Sequence, residues 1–126
     1  MVANPTFGFQ TSAEGGGYTW SANSRENQLT PWSNEPVGDP PGKAFCIRDQ
    51  DTGELWSPTA LPIRDPQATY VARHGRGYVR FEHTSNEIAS DLTQFVPVQG
   101  SIKISRLRLT NPSARARLLE DTAYAE

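Results

Sequence analysis

Apolar and polar residues alternate along much of this chain instead of recurring every three or four positions. The clearest case is "YVRFEHT" at 78–84. There Val79, Phe81 and His83 fall on one side and Tyr78, Arg80 and Glu82 on the other, as a strand with one dry and one wet face requires. Phe81 is expected to point inward. Runs rich in Val, Ile, Thr, Tyr and Phe predict strands at 44–48, 54–56, 69–73, 77–84, 88–96, 102–109 and 115–124. Pro and Gly, ten of each, interrupt nearly every window in which a helical period could develop, so long helices are not expected. Residues 1–126 therefore read as one all-β domain, an antiparallel β-sandwich.

The connections carry their own signals. In "DQDTGE" at 49–54, an Asp stands at the turn start and Gly53 where a positive φ is needed, which predicts a hairpin from "AFCIR" into "LWS". Gly75 and Gly77 in "RHGRGY" predict a second. Pro97 can end a strand but cannot serve a central ladder. Within "SIKISRLRLTN", Ile102 and Ile104 have one parity and Leu107 and Leu109 the other, so either a bulge lies near Ser105–Arg106 or both faces are partly covered. The turn "TNPSAR" at 110–115 is expected to send the chain back antiparallel through "ARLLEDTAYAE". The final residues still read as strand, so the fold is expected to continue beyond them.

Charge removes some partners. Twelve Lys and Arg against fourteen Asp and Glu leave a net charge of −2, with no basic footprint for nucleic acid or an anionic membrane. No stretch has the length and apolarity of a membrane span or a signal peptide, and the single Cys46 forbids an intrachain disulfide. A soluble, cytoplasmic segment with a neutral partner is expected.

Little in the sequence points to catalysis. Cys46, His74 and His83 lack the paired spacing of a zinc site, no GxSxG elbow is present, and "GGG" at 15–17 lacks the strand–helix setting of a phosphate loop. No metal, cofactor or catalytic residue is expected. Arg73, His74, Arg76 and Arg80 could touch phosphate, although arginines on a strand more often form a solvated face. The segment "GGGYTWSANSRENQLTPWSNEPVGDPPG" at 15–42 reads as a long loop with aromatic residues and hydrogen-bonding side chains. Tyr18, Trp20 and Trp32 could stack on sugar C–H faces while Arg25, Glu26, Asn27 and Gln28 meet hydroxyls. Equally, Trp20 and Trp32 could plug the end of the sandwich while the polar groups satisfy loop backbone.

The blocks "RENQLTPWSN", "RDQDTGELWSPT", "RHGRGYVRFEHT" and "KISRLRLTNPS" together resemble the phosphorylase-like module of glycoside hydrolase family 94, in the form found in cyclic β-1,2-glucan synthases, with cellobiose and chitobiose phosphorylases as broader relatives. This resemblance implies a galactose mutarotase-like supersandwich about twice this length, of which the chain is the N-terminal half. It also implies a separate (α/α)6 barrel carrying the general acid, so that no carboxylate here, including Glu26, Glu82 and Asp91, takes that role. The chain is then a non-catalytic carbohydrate-binding or scaffold segment of an enzyme that makes or phosphorolyses β-glucan. Its implied partners are β-glucan or an oligosaccharide, the barrel of the parent chain and a second copy in a homodimer. The alternative is a purely structural docking or dimerisation segment.

Overall fold

The computed structural model describes residues 1–31, 37 and 41–125. Among them every regular element is a strand: β1 (Val2–Ala3), β2 (Phe7–Thr11), β3 (Gly17–Ser21), β4 (Lys43–Asp49), β5 (Leu55–Trp56), β6 (Tyr70–Gly75), β7 (Tyr78–Ser85), β8 (Ile88–Phe95), β9 (Ile104–Thr110) and β10 (Leu119–Ala125). They form three antiparallel sheets, ordered β1-β2-β3, β10-β4-β5 and β6-β7-β8-β9. The all-β expectation holds. No helix of the described residues is long and apolar enough to cross a membrane.

The four-stranded sheet is one layer, and the two smaller sheets cover the same face of it. Alternation in β7 and β8 sends Val79, Phe81, Ile88 and Leu92 inward, each buried. Val2 and Phe9 from the β1-β2-β3 sheet pack on Val79, Phe81 and Leu92. Ile47 and Trp56 from the β10-β4-β5 sheet pack on Ile88, with Leu107 and Leu109 alongside. Apolar burial of this kind is worth roughly 1.5–3 kcal/mol per large side chain and holds the layers together.

Both predicted hairpins form. Ile47 pairs with Trp56 and Arg48 with Leu55, and Gly53 takes its positive φ of 75° in the connecting turn. Gly75 pairs with Tyr78 across a turn in which Gly77 has φ 77°. Pro97 lies just beyond the end of β8. The parity change around β9 needs no bulge, because its register with β8 runs unbroken from Ala89↔Thr110 to Phe95↔Ile104. Ile104 on one face and Leu107 and Leu109 on the other are each half-buried.

Two expectations are corrected. β2 and β3, with the short β1, lie where no strand was foreseen, so the segment beginning at Gly15 opens with a strand rather than a loop. The last strand does not fold back on β9 either. Asn111 accepts from the Ser113 N–H and donates to the Arg115 carbonyl, Gln50 N–H bonds the Leu118 carbonyl at 2.9 Å, and β10 pairs with β4 from Leu119↔Asp49 to Ala125↔Lys43.

Candidate functional site

The aromatic segment splits into a buried strand and an exposed turn. Trp20 sits opposite Gly8, which also faces Ala3, and a Cβ at residue 8 would lie 2.7 Å from the indole Cζ2. Glycine thus lets the ring lie flat on β2. Tyr18 is 6% and Trp20 8% exposed, so in this chain neither ring offers a free face to a sugar. Beyond β3, Asn23 Oδ1 accepts from the backbone N–H groups of Arg25 at 2.8 Å and Glu26 at 3.1 Å, forming a side-chain-capped turn. Asn27 Nδ2 donates to the Ser21 carbonyl and Gln28 Nε2 to the Ser24 carbonyl, so both amide groups serve the turn. A bridge between Trp20 and Gln28 ties the turn to the strand. Arg25 and Glu26 stay exposed. Trp32 lies outside the described residues.

A second arrangement, missed by the sequence reading, lies where the β4–β5 hairpin, the segment before β6 and the β7–β8 turn converge. The hairpin is built on Asp49, whose Oδ1 accepts from the N–H groups of Asp51 and Thr52, and it places Leu55 and Trp56 side by side. Ser57 Oγ donates to the Thr59 carbonyl at 2.8 Å, lies 3.0 Å from the Ile63 carbonyl and accepts from the Ile63 N–H, shaping the following segment. Tyr70 then accepts from the Asp65 N–H at 2.9 Å and stacks on His83, with ring centroids 3.9 Å apart and planes 11° from parallel. Asn86 and Glu87, both with positive φ, close the β7–β8 turn.

These pieces border an open, shallow recess of about 280 Å³ lined by Leu55, Trp56, Tyr70, Glu54, Ser85 and Asn86 among others. Its apolar wall includes Leu55, which is 50% exposed. No other described residue engages the side chains of Glu54, Ser85 or Asn86, whereas nearby Arg64 is paired with Glu14. A mixed lining of hydrogen-bonding groups around one exposed apolar side chain suits a small hydroxylated ligand. The signal was present in "TGELWS" and "YVARH", but only the crossing of three connections brings them together.

The arginine run has another fate. On the outer face of the four-stranded sheet, Arg80 Nη2 lies 2.6 Å from Asp91 Oδ2 and 3.0 Å from Glu82 Oε1, and Arg73 Nε lies 2.8 Å from Glu82 Oε2. Hydrogen bonding to Asp91, more than its charge alone, raises the Arg80 pKa further. Arg73 and Arg80 are thus neutralised within a solvated ladder. Among the described residues no cluster of three or more His, Cys, Asp or Glu could hold a metal ion. Cys46 is half-buried, and burial, followed by the charge of Asp121, raises its thiol pKa.

The family model of the glycosyl hydrolase 94 supersandwich domain matches residues 1–126. The chain is 40% identical over its full 126 residues to the cyclic beta-(1,2)-glucan synthase NdvB of Rhizobium meliloti, of which it spans 4% of the length. It is 29% identical over 117 residues, 91% of this chain and 15% of the relative, to the N,N'-diacetylchitobiose phosphorylase of Vibrio furnissii. With the solabiose phosphorylase of Paenibacillus borealis it shares 35% identity over 82 residues, 65% of this chain and 11% of that protein.

Proposed function

The chain belongs to the glycosyl hydrolase 94 supersandwich family, and we propose that it is a non-catalytic carbohydrate-binding segment of an enzyme that makes or phosphorolyses β-glucan. The recess between Leu55, Trp56 and Tyr70 carries this reading. Its size suits one sugar ring, the half-exposed Leu55 suits a C–H face while Trp56, 3% exposed, backs it from below, and Glu54, Ser85 and Asn86 are free to meet hydroxyls. Arg25 and Glu26 on the turn after β3 are further hydroxyl partners, with Tyr18 and Trp20 as the buried support behind them. In this reading the segment works in the cytoplasm beside the barrel of its parent chain.

Isothermal titration with short β-1,2-glucans tests it. Saturable heat at millimolar sugar, weakened about tenfold in Leu55→Ala, is the expected result. No heat at those concentrations would leave the scaffold reading. One observation favours that second reading: among the described residues β10 is an edge strand paired only with β4, and it keeps residues 121–125, Tyr124 included, exposed. Such an edge is a ready surface for another sheet or a second copy. Sedimentation over a range of concentrations would register self-association.

A further inference from the structure

We infer that the recess beside β5 is one of two adjoining sugar subsites, with Leu55 as the ridge between them, so that the site takes two consecutive units of a neutral glucan. This rests on the carbohydrate-binding reading of that recess. Leu55 lines it together with Glu54, Ser85 and Asn86, and also lines a second open recess of about 400 Å³ with Cys46, Arg48, Gly53, Glu120 and Thr122. Its side chain, half exposed, stands between the two.

The strand register builds the second recess. Arg48 pairs with Leu55 on one side and Glu120 on the other, and Cys46 pairs with Thr122. These side chains therefore share the face of the β10-β4-β5 sheet turned away from the buried Ile47. Arg48 and Glu120 stand directly opposite, yet Glu120 accepts from Gln50 Nε2, and the exposed Arg48 guanidinium has no partner among the described residues. A guanidinium fork, a carboxylate and the Thr122 hydroxyl thus offer donors and acceptors beside an apolar ridge.

The backbone adds a further pair of groups on the side of the first recess. Asp49 N–H bonds the Glu54 carbonyl at 2.9 Å, and Ile47 pairs with Trp56. Alternation along an antiparallel pair then turns the N–H and C=O of Leu55 away from β4, toward the open edge of β5. No described residue bonds either group. A peptide strand laid on this edge would find nothing to continue that single couple, because Glu54 and Trp56 on either side already bond elsewhere. One donor beside one acceptor instead matches neighbouring hydroxyls of a sugar ring. Charge favours a neutral sugar: Arg48 is offset by Glu120 in one recess, while in the other Arg64 is paired with Glu14 and Glu54 and Asp65 line the wall.

Amide NMR titration of the isotope-labelled chain tests this with methyl β-glucoside, β-1,2-linked diglucose and the corresponding triglucose, and the same spectra report whether each variant is folded. Diglucose is expected to bind about tenfold more tightly than the single unit, with less than about twofold further gain from the third. The Leu55 amide resonance should move with every sugar. Arg48→Ala should bring diglucose down to the affinity of the single unit, whereas Arg106→Ala, on the other sheet, should alter neither affinity. If no sugar moves any resonance, the carbohydrate-binding reading falls and this inference with it. If the single unit and diglucose bind equally, if Arg48→Ala keeps the tenfold gain, or if the Leu55 amide stays still while others move, the two-unit site is overturned and the one-ring reading of the recess stands.

Discussion

Arg117 clamps Asp49: Nη2 lies 2.5 Å and Nε 2.9 Å from the same carboxylate oxygen, and Nη1 reaches the carbonyl of Asn86 at 2.7 Å. Both side chains are almost fully buried, at 3% and 0% exposure. One guanidinium thus ties together the β4–β5 turn, the β7–β8 turn and the approach to β10. Removing it strands a carboxylate that the hairpin needs for its own turn.

Arg117→Met is accordingly expected to lower Tm by about 10 °C or more, because breaking a buried pair from one side leaves an uncompensated charge. Thermal unfolding at pH 7 measures this. Hydrogen bonding to Arg117, opposed by burial and helped by the Asp51 and Thr52 N–H groups, holds the Asp49 carboxyl below its ordinary range. A carboxyl with a depressed folded pKa stabilises fully above its unfolded value near 4, and that contribution is lost as pH falls through the folded value. Arg117→Met should flatten the acid limb of the stability profile. A small Tm change with an unchanged acid limb would show the clamp to be incidental.

Lys103, whose Nζ is buried beside Lys43 over the Phe9 ring, adds a second rise of stability with pH, in a higher range. Its folded pKa, lowered to about 6, lies below the unfolded value, so between these values the unfolded chain binds the extra proton and stability rises with pH. In chloride buffers Lys103→Met should be more stable than the parent near pH 7, and the gap should close toward pH 10. Urea midpoints across that range would contradict the assignment if the two curves ran parallel.

Glu87 occupies the second position of a two-residue hairpin turn with φ 66°, after Asn86 at φ 51°. Both values are those of a type I′ turn, which favours Asn-Gly. Because Glu87 is exposed, Glu87→Gly relieves the strain without costing packing, and a gain of about 0.5–1 kcal/mol in unfolding free energy is expected. Destabilisation on denaturant titration would mean that the carboxylate has a role the turn geometry does not show.

Gly8→Ala tests the seat of Trp20. The added methyl would come within 2.6 Å of Ala3 Cβ and 2.7 Å of Trp20 Cζ2, and overpacking of this kind costs roughly 1–3 kcal/mol. Gly53→Ala is the useful contrast. Nothing lies within 4 Å of its Cβ, so its smaller loss, about 1 kcal/mol, comes from the positive φ alone. Equal losses would indicate that the indole moves aside freely.

The four-stranded sheet was legible because its strands are amphipathic and joined by short, glycine-marked turns. Val79, Phe81 and His83 alternate with charged residues, and local sequence decides both the period and the turn. By contrast, "FGFQT" and "GYTWS" pair through glycines that permit close approach, yet glycine beside aromatic residues reads locally as loop. Their strand character depends on Phe9 being buried under another sheet. The partner of β10 was illegible for a similar reason: Asn111–Pro112 looks like a hairpin turn, while Arg117 finds Asp49 across 68 positions. The recess and the lysine pair also arise from residues distant in sequence, so no local motif marks either.

The pairing of β10 with β4 also sets an order of events during synthesis. β4 leaves the ribosome long before residues 119–125, so the edge that β10 will occupy stands open while five intervening strands are made and folded. The four-stranded sheet, joined by neighbouring turns, can assemble first, whereas the β10-β4-β5 sheet must wait for its most distant member. Over that interval Ala44, Cys46 and Arg48 border an unpaired strand edge, and a nascent chain paused there is the form most prone to strand exchange with its neighbours on a crowded polysome.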